Sequence, residues 1–297
     1  MMLIAGTLPI KDLPLITNVA QREGSDLIVD EHRFACTQGT GALISAALTT
    51  TDYLNTDPPH ALIAGDIGRG SGSKLIYDQL IEQLPQIAPD VLVMHYILPD
   101  MAQIRRVCDA ANCCSKKPIM VADAASMYAA KAAGIADRFE VFTPDIAELG
   151  FLADPEATHP AYINHHLFDS DIARIPHLIE TAYQQHCAPN LLLVKGSTDY
   201  IVREGQILET IEEPNIPALE AIGGTGDTLT GIMAALLDAE LELHEAAIIA
   251  ARANRMAGYF AQANPATKIS QIIEQLPAVL KEHLCTWSGV CCIDYTN

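Results

Sequence analysis

Short apolar runs alternate along this chain with stretches whose apolar residues recur at helical spacing. The strand-like runs are residues 60–64, 91–95, 118–122, 139–142 and 191–194. The helical patterns cover residues 74–84, 101–111, 229–237, 244–263 and 270–283. Such alternation is typical of a mostly parallel sheet with helices on its faces. The pattern therefore predicts an α/β fold.

The alternation changes after the run at 191–194. Residues 200–202 and 207–211 are two further apolar runs that flank Arg203-Glu204-Gly205-Gln206, which predicts an antiparallel hairpin. The helix that follows has the clearest pattern in the chain, because its apolar residues from Leu229 to Leu237 fall at i, i+3, i+4, i+7 and i+8.

Residues 153–175 interrupt this regular pattern with His159, His165 and His166 among Pro, Asn and Asp residues. We interpret this segment as an excursion from the core, either a lid or an oligomer contact. The adjacent His165 and His166 are expected to be solvated loop residues rather than ligands. The sequence contains no internal repeat, low-complexity tract or interdomain linker, so we expect one domain over residues 1–297.

Composition narrows the range of partners. The chain has 18 basic and 37 acidic residues, a formal charge of −19, which argues against binding to nucleic acid or to an anionic membrane. The apolar opening residues 1–6 are too short for a signal segment, and no run reaches the roughly 18 apolar residues of a membrane span. We therefore expect a soluble, cytoplasmic protein with a small-molecule substrate.

The eight cysteines include two adjacent pairs, at residues 113–114 and 291–292. Neither pair has a partner at the spacing that zinc sites use. Reduced thiols, most of them buried, are the favoured interpretation, although residues 285–292 leave redox or metal chemistry open.

The strongest chemical signal is Gly223-Gly224-Thr225-Gly226-Asp227, a glycine-rich turn that leads directly into the helix of Leu229. The first N–H groups of a helix have no partner inside the helix, and the helix dipole adds positive charge there. Glycines allow a phosphate to approach the backbone closely. The turn therefore predicts an anion site at Gly224, Thr225 and Gly226.

Asp227 has two interpretations. It is either a carboxylate that complements the helix dipole or the group that accepts a proton from a hydroxyl attacking a terminal phosphate. A helix N-terminus should lower the pKa of Asp227 and weaken it as a base. Phosphoryl transfer tolerates a weak base, because its loose transition state depends mainly on positioning.

A second glycine-rich loop, residues 65–72, also follows a strand and precedes a helix. It lacks the Gly-Lys-Ser/Thr sequence of a Walker motif. Arg69 and Lys74 are candidates for contact with an acidic substrate; the alternative is a tight turn with a solvated Arg69.

Four segments, in a fixed order, resemble motifs of ribokinase-like enzymes. They are residues 142–148 with Thr143-Pro144 and Glu148, residues 193–196 followed by Thr198, residues 224–231, and residues 254–258. The longer match is to the carbohydrate-kinase branch that contains ADP- or ATP-dependent NAD(P)H-hydrate dehydratases.

The resemblance implies a doubly wound, mostly parallel sheet that binds ATP or ADP beyond the carboxyl ends of its strands. Asp227 would be the catalytic base, and Glu148 would hold Mg²⁺, an ion that usually keeps several waters. The alternative for Glu148 is a helix capping box with Asp145. The nucleotide side would be formed by Lys195, Gly196, Ser197 and Thr198. A homo-oligomer and a substrate such as hydrated NADH or NADPH are also implied.

The sequence departs from the family pattern where the acceptor pocket is expected. Residues 145–147 replace the His-Pro-Gly of the dehydratases, Asp123 is the only retained carboxylate of an Asp-Ala-Asp strand end, and residues 65–72 replace a Gly-Pro-Gly loop. The substrate contacts expected here are Gly68, Arg69, Asp123 and Asp145. Two alternatives remain open: a kinase for a sugar, thiazole or pyrimidine alcohol, and a nucleotide sensor without turnover.

Overall fold

The computed structural model describes residues 1–157 and 174–289. Its strands are β1 (Met2–Leu8), β2 (Ile16–Glu23), β3 (Asp26–Val29), β4 (His32–Ala35), β5 (His60–Gly65), β6 (Val91–His95), β7 (Ile119–Asp123), β8 (Val141–Phe142), β9 (Leu191–Val194), β10 (Asp199–Arg203) and β11 (Gln206–Ile211).

Its helices are α1 (Thr40–Leu54), α2 (Ser71–Ile87), α3 (Met101–Asn112), α4 (Ala125–Ala132), α5 (Ile146–Ala153), α6 (Ile175–Gln184), α7 (Ala218–Ala221), α8 (Thr225–Asp238), α9 (Leu243–Phe260), α10 (Ile269–Ile273) and α11 (Leu276–Ser288). Across residues 1–157 and 174–289, no helix is long and apolar enough to cross a bilayer.

The strands of the described residues form one sheet in the order β11-β10-β9-β8-β7-β6-β1-β5-β2-β3-β4. From β5 through β1 to β9 the neighbouring strands are parallel, and antiparallel strands extend the sheet at both ends. The carboxyl ends of the parallel strands therefore meet at one edge, where α/β sheets bind their ligands.

Helices cover both faces of the sheet, so the parallel strands are buried on both sides. Along β1, Met2 and Ile4 pack toward α1, α8 and α9, while Leu3 and Ala5 pack toward α2 and α3. This arrangement confirms the predicted α/β class with helices on both faces.

Most predicted elements are present with small changes at their ends. The hairpin of β10 and β11 is confirmed, and its turn has positive φ at Glu204 and Gly205. The predicted strand at 139–142 is only two residues long, and the predicted helix at 270–283 is divided into α10 and α11. Pro277 lies at the start of α11, where its missing N–H costs little.

Most of the elements that the apolar pattern did not reveal lie in the first 60 residues. They are β1, the antiparallel strands β2–β4 at the sheet edge, and α1, and the short helices α4 to α7 were also not predicted by that pattern. Strand β2 buries only Ile16 and Ala20, which are four positions apart, so it lacks the period-2 alternation of a strand.

Two expectations concern regions that the structure describes only in part. His159, His165 and His166, together with Cys291 and Cys292, lie outside the described residues. Cys36, Cys108, Cys113, Cys114 and Cys187 are free. Cys285 is disulfide-bonded, so the expectation of a reduced thiol is wrong at that position.

Candidate active site

A cavity of about 830 Å³ opens at the carboxyl edge of the sheet. Its walls are the ends of β6, β7 and β9, the start of α5 and the start of α8. The predicted site residues that line it are Asp123, Asp145, Glu148, Lys195, Gly196, Ser197, Gly224, Thr225, Gly226 and Asp227. The size is within the usual range for small-molecule sites.

The N-terminus of α8 faces this cavity. Gly224 precedes the helix with φ 101°, a left-handed conformation that favours glycine. Within the described part of the chain, no side chain caps this helix end. Residues 225–227 are in the first turn, where N–H groups have no partner inside a helix, so they remain available to an anion in the cavity.

Asp227 is held by groups from two other elements. Its Oδ2 accepts a 2.6 Å hydrogen bond from the N–H of Gly39, and its Oδ1 lies 3.0 Å from Nε2 of His95. Burial alone would raise the pKa of Asp227, but the hydrogen bond and charge of His95 lower it below its ordinary value. The carboxylate is 12% exposed and reaches the cavity.

Asp123 and Lys195 form an ion pair in the floor of the cavity. Lys195 Nζ lies 2.9 and 3.0 Å from the two carboxylate oxygens, and Thr230 donates to Oδ2 at 2.7 Å. Burial would lower the pKa of Lys195, but the Asp123 and Glu148 carboxylates raise it above its usual value. Lys195 therefore remains charged at the edge of the glycine turn.

Asp145 and Glu148 form the capping box at the start of α5. Asp145 Oδ1 accepts from the N–H of Glu148, and Glu148 Oε2 accepts from the N–H of Asp145, both at 2.8 Å. Tyr128 donates to Glu148 Oε1 at 3.0 Å. Burial and the nearby Asp145 raise the pKa of Glu148 to about 8. Both residues also line the cavity, so the capping role does not remove them from the site.

The turn after β9 is fixed by a buried arginine. Arg255 Nη2 donates to the carbonyl oxygens of Gly196 and Ser197 at 2.9 Å, and its Nε donates to Asp199 at 2.8 Å. Asp199 in turn accepts from the N–H of Gly196. Thr198 is not among the described residues that line the cavity.

The loop at 65–72 is closed by its own carboxylate. Asp66 Oδ1 accepts from the N–H groups of Gly68, Arg69 and Gly70, and its Oδ2 accepts from Ser73. Asp66 thus occupies the anion position at the start of α2. Among the described residues, those lining the main cavity do not include Gly68 or Arg69, so their contact with a substrate remains a prediction.

Several residues that hold the site together are absent from the predicted site residues. They are Gly39, Thr40, His95 and Tyr96, together with Asn254, which the sequence placed only in a family segment. His95 ends the predicted strand at 91–95, and a polar residue at the carboxyl end of a parallel strand was an available signal. Gly39 gave no such signal, because it approaches Asp227 only through the packing of α1 on α8.

Residues 110–278, more than half of the chain, match the family model described as NAD(P)H-hydrate dehydratase. An uncharacterized protein of Methanocaldococcus jannaschii is 42% identical over 242 residues, covering 82% of this chain and 100% of that protein. The ADP-dependent (S)-NAD(P)H-hydrate dehydratase of Haloterrigena turkmenica is 26% identical over 249 residues, covering 80% of this chain and 85% of that protein.

Solved structures share the fold at low sequence identity. A ribokinase-like superfamily protein of Enterococcus faecalis has a TM-score of 0.54 at 15% identity, covering 95% of this chain and 86% of that one. A putative phosphomethylpyrimidine kinase of Bacteroides thetaiotaomicron has a TM-score of 0.54 at 14% identity, covering 94% of this chain and 93% of that one. The expected ribokinase-like fold is therefore confirmed.

Proposed function

This chain belongs to the NAD(P)H-hydrate dehydratase family, and we propose that it uses ADP or ATP to convert hydrated NADH or NADPH back to the reduced cofactor. The observation that carries the proposal is the position of Asp227. Its carboxylate reaches the cavity beside the uncapped N-terminus of α8, so a base and an anion site share one space.

In the proposed reaction, the N–H groups at residues 224–226 bind the terminal phosphate of the nucleotide. The hydroxyl oxygen of the hydrated ring attacks that phosphorus, the bond to the bridging oxygen breaks, and the hydroxyl proton goes to Asp227. The carbon–oxygen bond then breaks and phosphate leaves with the electron pair. The adjacent ring carbon loses a proton to water, and the C–H electron pair forms the ring double bond. The low pKa of Asp227 is compatible with this step, because phosphoryl transfer needs positioning more than basicity.

Lys195 supplies the positive charge on the nucleotide side. Its pairing with Asp123 fixes the ammonium next to Gly226, where a Cβ would lie only 3.4 Å from Nζ. We assign Gly196, Ser197 and Thr198 to the same side, since Arg255 holds this turn in place. In this arrangement, Asp123 positions Lys195 through the ion pair and does not bind the substrate.

The carboxylates at the start of α5 fit a hard divalent cation. Asp145 and Glu148 provide oxygen donors, and the raised pKa of Glu148 shows that burial and neighbouring negative charge disfavour its ionised form. A cation would relieve that penalty. Mg²⁺ bound by Glu148, directly or through water, would neutralise phosphate charge during the transfer.

The test is to incubate the protein with hydrated NADPH, Mg²⁺ and either ADP or ATP, and to follow the absorbance of reduced nicotinamide. Recovery of that absorbance, with release of one phosphate for each NADPH formed, is the expected result. Recovery that is equal without nucleotide would contradict the proposal. Omission of Mg²⁺ with a chelator present tests the cation separately.

A kinase for a small hydroxylated metabolite is the second candidate. The observation that favours it is the extent of the family match. The match begins at residue 110, so Gly39, Arg69 and Tyr96 lie outside the matched region. Tyr96 lines the cavity near Asp227, so the acceptor side rests partly on residues outside the match. Stable phosphorylation of a sugar, thiazole or pyrimidine alcohol without recovery of NADPH would support the kinase. Nucleotide binding without either reaction would support a sensor.

A further inference from the structure

His95 is the buried partner of the proposed catalytic carboxylate. It is the last residue of β6, its side chain has 0% exposure, and its Nε2 lies 3.0 Å from Asp227 Oδ1. The proposed reaction assigns Asp227 and gives His95 no role. A fully buried imidazole in contact with a base is costly to keep without hydrogen bonds, so the partners of both ring nitrogens are informative.

The hydrogen bonds of Thr40 determine which ring nitrogen carries a proton. Thr40 Oγ1 donates to the carbonyl oxygen of Thr7 at 2.8 Å and lies 2.9 Å from His95 Nδ1. A hydroxyl has one proton and a carbonyl only accepts, so Nδ1 donates to Thr40. In a neutral ring, Nε2 would then be unprotonated. Nε2 and Asp227 Oδ1 would be two hydrogen-bond acceptors only 3.0 Å apart. The contact therefore requires a second proton between Nε2 and Oδ1.

Charged groups from two other elements lie around this pair. Asp227 on α8 is in contact with Nε2, and Asp123 on β7 lies 3.9 Å from it. Lys195 neutralises Asp123 through their ion pair. Tyr96, the residue that follows β6, packs its ring edge-on against His95, with the ring centroids 4.3 Å apart. The imidazole thus faces more negative than positive charge.

We propose that His95 is a positioning residue for Asp227: its Nε2–H holds Oδ1 while the Gly39 N–H holds Oδ2, so the carboxylate keeps one orientation toward the cavity. This inference rests on the proposed function for its catalytic consequence. His95 acts through Asp227 and does not touch the nucleotide site. Its loss should therefore lower kcat and leave the affinity for nucleotide unchanged.

Two amide substitutions separate the two ring nitrogens. The amide nitrogen of His95→Gln extends to the position of Nε2 and still donates toward Asp227, whereas that of His95→Asn matches Nδ1 and reaches only Thr40. Misplacement of a reacting group by about 1 Å can cost about 100-fold in rate. We expect His95→Asn to lower kcat for hydrated NADPH by about that factor, and His95→Gln to recover activity to within about tenfold of the wild type.

Equal losses in the two variants, or full activity of His95→Asn, would overturn the proposal. The KM for nucleotide and the unfolding midpoint should be the same in both variants, which separates positioning from a general structural role. The acidic limb of the kcat/KM profile should move to higher pH in His95→Asn, because the hydrogen bond and charge that lower the pKa of Asp227 are removed.

A measurement without turnover keeps this proposal separate from the proposed function. Carbon NMR of labelled aspartate carboxyls follows the titration of Asp227, whose signal is identified by its loss in Asp227→Asn. A low pKa in the wild type that rises in His95→Asn supports the positioning role, even if the protein does not regenerate NADPH. An Asp227 pKa that is the same in both proteins overturns it.

Discussion

Lys195 and Asp123 join two strands that are not neighbours. Asp123 ends β7, Lys195 follows β9, and β8 lies between them, yet Lys195 Nζ is 2.9 Å from Asp123 Oδ1. The Lys195 side chain is 12% exposed and the Asp123 side chain is 2% exposed. It therefore ties together three parallel strands at the edge where the cavity opens.

Removal of Lys195 should destabilise the protein strongly. Lys195→Met leaves the Asp123 carboxylate buried without its cation, and loss of one partner of a buried pair costs about 3–5 kcal/mol in the free energy of unfolding. Urea unfolding measures this change. Lys117→Met is the matched control, because Lys117 pairs with Glu140 at the surface, where ion pairs contribute up to about 1 kcal/mol. Equal losses in the two variants would contradict the buried role.

Asp227→Asn should abolish most of the turnover and preserve nucleotide binding. The amide cannot accept the substrate proton, and general-base groups contribute about 10²–10⁴-fold in rate. The rate is measured by recovery of NADPH, and binding by the nucleotide-induced shift of Tm. Asp100→Asn at the start of α3 is a control, since Asn caps a helix as well as Asp does. Loss of folding in Asp227→Asn would instead indicate a structural aspartate.

Gly231→Ala should loosen the contact between α1 and α8. A Cβ at Gly231 would overlap the carbonyl oxygen of Leu43, so the helices must separate. Overpacking of this kind costs about 1–3 kcal/mol. We also expect a lower rate, because the same helix contact brings Gly39 to Asp227.

Gly41→Ala is the control for that helix contact. The nearest atom to its Cβ would be 3.9 Å away, and Ala is better than Gly in a helix by about 1 kcal/mol. This variant should be as stable as the wild type or more stable. A destabilised Gly41→Ala variant would show that any added methyl group harms α1. Thermal unfolding of both variants decides between these results.

The loop closed by Asp66 should make stability depend on acid pH. Burial alone would raise the pKa of Asp66, but hydrogen bonds from Ser73, Gly70 and Arg69 lower it below its ordinary value. A carboxyl whose pKa is lowered by folding stabilises above its unfolded pKa, and the effect is lost as pH falls through the folded pKa.

Asp66→Asn should therefore be less stable than the wild type at neutral pH by about 1–3 kcal/mol. The amide introduced by this substitution would turn an N–H₂ group toward the donors of Ser73. The difference in unfolding free energy between the two proteins should shrink as the pH falls below the ordinary pKa of an aspartate. Urea unfolding across this pH range is the measurement, with Asp137→Asn at an exposed position as the control. A difference independent of pH would contradict the role of the charge.

The sequence alone determined the fold class and the centre of the site. The runs at 60–64, 91–95 and 191–194 are buried on both faces, so their apolar character appears without knowledge of their neighbours. Gly224 and Asp227 form a local motif in which a turn, a helix and a carboxylate are adjacent in the chain. Local geometry is sufficient to identify such a motif.

The tertiary structure decided which distant groups control that centre. Gly39 and His95 are 188 and 132 residues from Asp227 in sequence. The Gly39 contact depends on how closely α1 packs on α8 at Gly231, and the His95 contact depends on the packing of α8 against β6. The loop at 65–72 resembled a phosphate site in sequence, but in the structure Asp66 fills its anion position. Contacts of this kind follow from packing across the sheet, which the periodicity of one segment does not encode.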